Sequence, residues 1–198
     1  MKEVFSNLSL LFVFIFLVFI SCSEDDSGTV PQEVAPTTLI PLKVNNVWTT
    51  VFTSLISGGF VDTVITKIYS FGFVSGRTLY RTSKTDSTVG FLQDGNWFLS
   101  GRFSEYQEKE EILLKFMYPE VNVGDEWEHD GSIYLLNDKD VSITTKAGTF
   151  KCYHYLKSKS GETSFSFYIQ PSVGIIRYEL INQMEVAAIQ NLISYSVH

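Results

Sequence analysis

From Leu39 to the C-terminus the chain is a succession of short segments in which apolar and polar residues alternate, separated by turn-forming pairs of Gly, Asp, Asn and Ser. Alternation with a period of two gives a strand one buried and one wet face, and the 3.6-residue period of an amphipathic helix is almost absent. The segments read as strands are Trp48 to Ile56, Phe60 to Phe71, Arg77 to Thr82, Val89 to Gln93, Asn96 to Phe103, Ile112 to Met117, Ser132 to Leu136 and Val141 to Thr145. Phe150 to Lys157, Thr163 to Gln170, Ile175 to Leu180 and Asn191 to Val197 follow. Many short strands joined by tight turns predict an antiparallel all-β domain: a strongly curled sheet or incomplete barrel first, a two-sheet sandwich second.

The turns are predicted from their chemistry. Asp94-Gly95 suits a type I′ hairpin, because both central residues of that turn need positive φ. Ser57-Gly58-Gly59, Asn137-Asp138-Lys139-Asp140 and Ser160-Gly161 read as turns between strands. Glu105 to Glu111 is charged enough to form one helical turn. One pattern occurs twice: Pro41, Val44 and Trp48 are matched by Pro119, Val123 and Trp127. Proline fixes φ and cannot donate to a ladder, so it stands outside the strand that each tryptophan opens. Two strand starts with one steric solution account for the match, and so does a duplication of two half-sheets.

Residues 1–21 have the parts of an export signal: Lys2, an apolar run from Leu10 to Ile20, and a small residue, Ser21. At about 1.5 Å per residue that run covers roughly 16 Å, half of a ~30 Å hydrocarbon core. Phe19-Ile20-Ser21-Cys22 resembles a bacterial lipobox, whose cysteine is acylated and becomes the new N-terminus. The resemblance implies palmitate-type acylation at Cys22 and an outer-membrane destination. Ser23-Glu24-Asp25-Asp26 is similar to acidic signals that send such proteins on to the cell surface. Residues 22–37 then form a flexible acidic tether with a root-mean-square span of ~20–25 Å, and residues 38–198 a single β domain.

The formal charge is −7, and cleavage of the signal leaves it unchanged because Lys2 and Glu3 cancel. An acidic chain with scattered Lys and Arg has no electrostatic footprint for nucleic acid. With Cys22 acylated, Cys152 has no intramolecular partner and is expected to act as a small buried hydrophobe.

Three separated pieces carry a further resemblance: Pro41 to Trp48, Lys146-Ala147-Gly148-Thr149-Phe150-Lys151-Cys152-Tyr153, and Tyr168-Ile169-Gln170-Pro171-Ser172-Val173-Gly174-Ile175-Ile176-Arg177. Together they resemble the TapB-like family of bacterial envelope lipoproteins, with Gln170 and Ser172 in place of the usual Ala and Gly beside Pro171. The family implies an envelope location and a β fold and supplies no active site.

Phosphate loops, dinucleotide fingerprints, paired-histidine zinc helices and the Gly-x-Ser-x-Gly elbow are all missing from the sequence. The one polar concentration is Asp125-Glu126-Trp127-Glu128-His129-Asp130. On a strand, Glu126, Glu128 and Asp130 share one face and Trp127 the other. Those four are the candidate ligand-binding residues, as oxygen ligands and a stacking platform, against a solvated acidic face opposite a core tryptophan. No catalytic residue, metal or cofactor is expected. The sequence therefore predicts a membrane-held, non-catalytic module that presents a β surface to a glycan, peptide or envelope protein. The alternatives are a carrier with an apolar ligand in its concave face, an envelope hydrolase using Glu126 or Glu128, and a structural accessory of a surface assembly.

Overall fold

The computed structural model describes residues 38–56, 58–103, 111–160 and 162–198. The signal segment, Cys22, the tether and the expected helical turn at residues 105–110 lie outside the described residues. Thirteen strands are formed among those described, and no helix. In chain order they are β1 (Val47–Ser54), β2 (Val61–Lys67), β3 (Ser70–Val74), β4 (Arg77–Arg81), β5 (Val89–Asp94), β6 (Trp97–Arg102) and β7 (Glu111–Met117). Then come β8 (Glu126–His129), β9 (Ser132–Thr145), β10 (Gly148–Lys159), β11 (Glu162–Gln170), β12 (Gly174–Asn182) and β13 (Glu185–Ser196).

All pairings are antiparallel and fall into two sheets. The large sheet has the order β2-β1-β13-β12-β11-β10-β9-β8, and the small one β3-β4-β5-β6-β7. The large sheet is curled but not closed. Strands β9 and β13 stand four places apart, about 19 Å in a flat sheet at ~4.8 Å per strand. Yet Cα atoms of β9 come within 8 Å of both β12 and β13. Two register irregularities between β9 and β10, at Cys152/His154 and His154/Tyr155, supply the bend. The two extra residues fall within Asn137 to Asp140, so this segment is a bulged stretch inside one long strand and not the expected turn. Asp138 Oδ1 holds the bulge by accepting from the Asp140 N–H at 3.0 Å.

The small sheet packs on the large one through aromatic rings. Phe116 of β7 lies 5.1 Å from the rings of both Tyr155 and Phe167 and 6.1 Å from that of Tyr134. A curled open sheet and a packed pair of sheets are thus combined in one architecture. Leu79, Leu92 and Leu99 are buried on the opposite face of the small sheet.

The segment expected to run unbroken from Phe60 to Phe71 instead splits at Ile68-Tyr69, where the chain crosses between sheets. Ile68 is fully buried, donates its N–H to the Asn46 carbonyl and accepts from the Asn45 N–H. The hairpin turn after β5 is Gly95-Asn96, one residue beyond the expected pair, and of its two residues only Gly95 has positive φ. Both central residues have positive φ at Ser75-Gly76, Asp130-Gly131 and Gln183-Met184, the geometry that matches strand twist. Asp130 therefore belongs to a turn.

The repeated Pro-to-Trp pattern is built alike in both places. Asn45 and Gly124 each have positive φ three residues before their tryptophan. In each, the following residue donates its N–H back three positions, Asn46 to Lys43 and Asp125 to Asn122. Gly124 N–H donates to the Leu136 carbonyl and Leu136 N–H to the Asp125 carbonyl, as Asn45 and Asn46 do with Ile68. Trp48 and Trp127 then enter β1 and β8 with 6% and 9% exposure.

Candidate functional site

Alternation puts Trp48, Thr50 and Phe52 of β1, Phe165 and Phe167 of β11, Tyr178 of β12 and Gln190 of β13 on the face that meets the small sheet. Near β8 to β10 the two sheets meet through the rings of Phe116, Tyr134 and Tyr155. Toward β1, β2 and β13 they part, leaving an apolar cleft of about 300 Å³. Its floor is Trp48, Phe167, Ile175 and Tyr178, and Phe91 and Leu114 of the small sheet face them. Volumes from ~300 Å³ upward, apolar with a few polar groups, are those of small-molecule sites.

Three polar side chains of the cleft walls already have partners. Trp48 Nε1 donates to the Val173 carbonyl at 2.6 Å, and Gln190 Nε2 to Thr50 Oγ1 at 2.5 Å. The Thr50 hydroxyl donates in turn to the Val64 carbonyl at 3.3 Å. What the cleft offers a ligand is therefore largely hydrocarbon. Burial raises the Tyr178 phenol above its usual range, so that ring is neutral in the cleft wall at physiological pH.

The Val173–Trp48 bond joins two of the pieces that the sequence sets apart. Gly174, at φ +116°, lies under the Trp48 indole, and a Cβ there would stand 3.1 Å from Nε1. The Ser172 N–H donates to the Thr38 carbonyl. Pro171 to Gly174 is the seat of Trp48, and that seat forms one end of the cleft.

The acidic segment lies elsewhere. Glu126 and Glu128 are exposed on β8, an edge strand, and Asp130 is exposed in the turn that follows. Trp127 points the other way. It stacks on Tyr134 at 5.8 Å, contacts Trp97 at 5.8 Å, and donates Nε1 to the Lys115 carbonyl. The structure thus brings Trp127 together with core aromatics and separates it from the three carboxylates. Among the described residues no group of three His, Cys, Asp or Glu side chains is placed to share a metal.

One contact that sequence reasoning missed is His154 Nε2 to Ser166 Oγ, 2.7 Å. Asn137 Nδ2 donates to His154 Nδ1 at 3.1 Å, so the neutral ring carries its proton on Nε2 and the serine oxygen accepts. That is the reverse of a histidine taking a serine proton. Ser166 is 2% exposed, and the imidazole stacks on Tyr168 at 4.4 Å. Asn137, His154 and Ser166 form a hydrogen-bond chain across β9, β10 and β11 that runs from an exposed amide to a buried hydroxyl. Cys152 is fully buried and its thiol is pushed up to about 12 by desolvation, so it is a core side chain.

No family model and no curated protein matches the chain, so the TapB-like resemblance rests on its own motifs. Two solved structures are similar in outline. One is a candidate lipoprotein of Parabacteroides distasonis, 16% identical, with 82% of this chain and 100% of that one covered and a TM-score of 0.47. The other is a candidate exported protein with a YmcC-like fold from Bacteroides fragilis, 13% identical, with 80% and 99% covered and a TM-score of 0.48.

Proposed function

We propose that this chain is a lipid-anchored protein of the outer membrane, tethered through Cys22, whose β domain is a non-catalytic carrier of an apolar ligand. The observation that carries the reading is the apolar cleft between the sheets, in whose wall the Trp48, Thr50 and Gln190 side chains already make hydrogen bonds within the protein. Each methylene buried there contributes about 0.8 kcal/mol, enough for one chain of modest length to bind. The Phe19-Ile20-Ser21-Cys22 motif and the acidic stretch after it support the anchor and an orientation toward the cell surface. Of the expected functions, the carrier gains most from the geometry. The surface-module reading loses its candidate stacking platform, because the Trp127 indole is in the core.

The test is titration of the exported Cys22→Ser protein with N-phenyl-1-naphthylamine, following energy transfer from Trp48. Saturable one-to-one binding is expected, and Leu114→Trp, which fills the cleft, should abolish it. Binding that is absent in the parent, or unchanged in Leu114→Trp, would overturn the reading.

A further inference from the structure

The large sheet carries a lysine on its core-facing side. Strand register places Trp127, Tyr134, Lys157, Phe165 and Leu180 in one row across β8 to β12. Side chains directly opposite in such a row point to the same face. Trp127 and Tyr134 are buried in the core and Phe165 lines the apolar cleft, so Lys157 belongs to that inner row. Its Nζ lies 5.4 Å from the Tyr134 ring centroid and 5.7 Å from that of Phe165. It donates to the Leu113 carbonyl of the facing sheet at 3.2 Å. Among the described residues it forms no salt bridge. Desolvation, helped by the charge of Lys159, holds its pKa below the usual lysine range, with Asp130 only partly opposing.

Lys157 opens into a polar recess of about 260 Å³ lined also by His129, Ser132, Tyr134 and Lys159. Phe165 borders this recess and the apolar cleft alike. Hydrocarbon walls thus lead, past one aromatic ring, to two ammonium groups. Asp130 sits at the margin of the recess and offsets part of their charge.

We infer that the ligand is a single-chain amphiphile with an anionic headgroup, its chain in the intersheet cleft and its headgroup against Lys157 and Lys159. This rests on the carrier reading and adds the headgroup. The cleft is at the small end of ligand-site volumes, which favours one chain over two. A carboxylate and a phosphate monoester share the chemistry that two ammonium groups select, whereas a cationic head would meet like charge.

The experiment compares decanoate, decyl phosphate and decanol on the Cys22→Ser protein by calorimetry, below their aggregation concentrations. At least one anion should bind about tenfold tighter than decanol, a preference that falls as salt is raised. The tighter anion names the headgroup. Lys157→Met should bring that anion to the affinity of decanol and leave decanol unchanged. Asp130→Asn should tighten the anion, since asparagine tolerates the positive φ there. If both anions bind no tighter than decanol, or the preference survives Lys157→Met combined with Lys159→Met, the headgroup site is wrong and the cleft reading stands. If none of the three binds, both fall.

Discussion

Asn46 and Asp125 stand two residues before Trp48 and Trp127, and each closes its turn with its own side chain. Asn46 Nδ2 donates to the Pro41 carbonyl at 2.8 Å, and Asp125 Oδ2 accepts from the Asn122 N–H at 2.6 Å. Asn46 does more: its Oδ1 accepts from the His198 N–H and ties the end of the chain to the start of β1. The tryptophans are aimed by these turns as much as by their own burial.

Removing the two side chains should therefore cost unequal amounts. Asn46 is fully buried, and Asn46→Ala leaves a carbonyl and an N–H without partners, a loss of roughly 2–3 kcal/mol. Asp125 is part-exposed, water can replace it, and Asp125→Ala should cost about 1 kcal/mol. Urea unfolding of both variants tests the order, and equal losses would refute it.

Gly174 and Gly95 both have positive φ but different surroundings. Alanine at Gly95 meets nothing within 4 Å, so Gly95→Ala should cost only the conformational strain, about 1–2 kcal/mol. At Gly174 the added methyl also presses on Trp48 Nε1 at 3.1 Å, while Ile40 Cγ2 lies at an ordinary contact distance. Gly174→Ala should lose more stability than Gly95→Ala and shift the Trp48 emission. A Gly174→Ala protein with unchanged emission would detach Trp48 from its proposed seat.

Stability should fall at both ends of the pH scale for identifiable reasons. Burial lowers the His154 pKa, with Asp138 partly opposing, so the folded ring stays neutral while the unfolded one takes a proton near 6.5. Its contribution is present above pH 6.5 and is lost as the pH falls below it. His154→Gln should flatten the change in Tm between pH 7.5 and 5. On the alkaline side Cys152 and Tyr134 keep their protons to about 12, and burial raises Tyr155 as well. The unfolded thiol and phenols ionise from about 9 and 10, so stability declines from pH 9 upward. Cys152→Ala should delay the onset of that decline.

Cys22→Ser should abolish palmitate labelling and release the protein from the membrane fraction. Equal labelling in the variant would place the anchor elsewhere.

Most of the strands were legible because alternation is local, and nearly every expected segment overlaps an observed strand. Two misreadings have one origin. Asn137 to Asp140 has turn composition, yet β10 runs alongside it and converts it to a bulge. Ile68 has strand composition, yet the Asn45–Asn46 backbone pins it at the crossover. Partners distant in sequence decided both. Asp130-Gly131 carried a visible turn signal that was overshadowed by its acidic neighbours. The cleft itself was not legible, because it exists only where two sheets part. Lys157 looked like any strand lysine until its register with Tyr134 and Phe165 set it on the inner face.

The pairing of β1 with β13 has a consequence for how the protein is made. The strand nearest the tether needs the last strand of the chain as its neighbour, and the His198 N–H completes the Asn46 turn. A chain delivered across a membrane from its N-terminus would hold β1 and β2 as a bare hairpin until the final residues emerged. Closure of β1 on both sides is thus deferred until Glu185–Ser196 is available, however early β2 pairs with it.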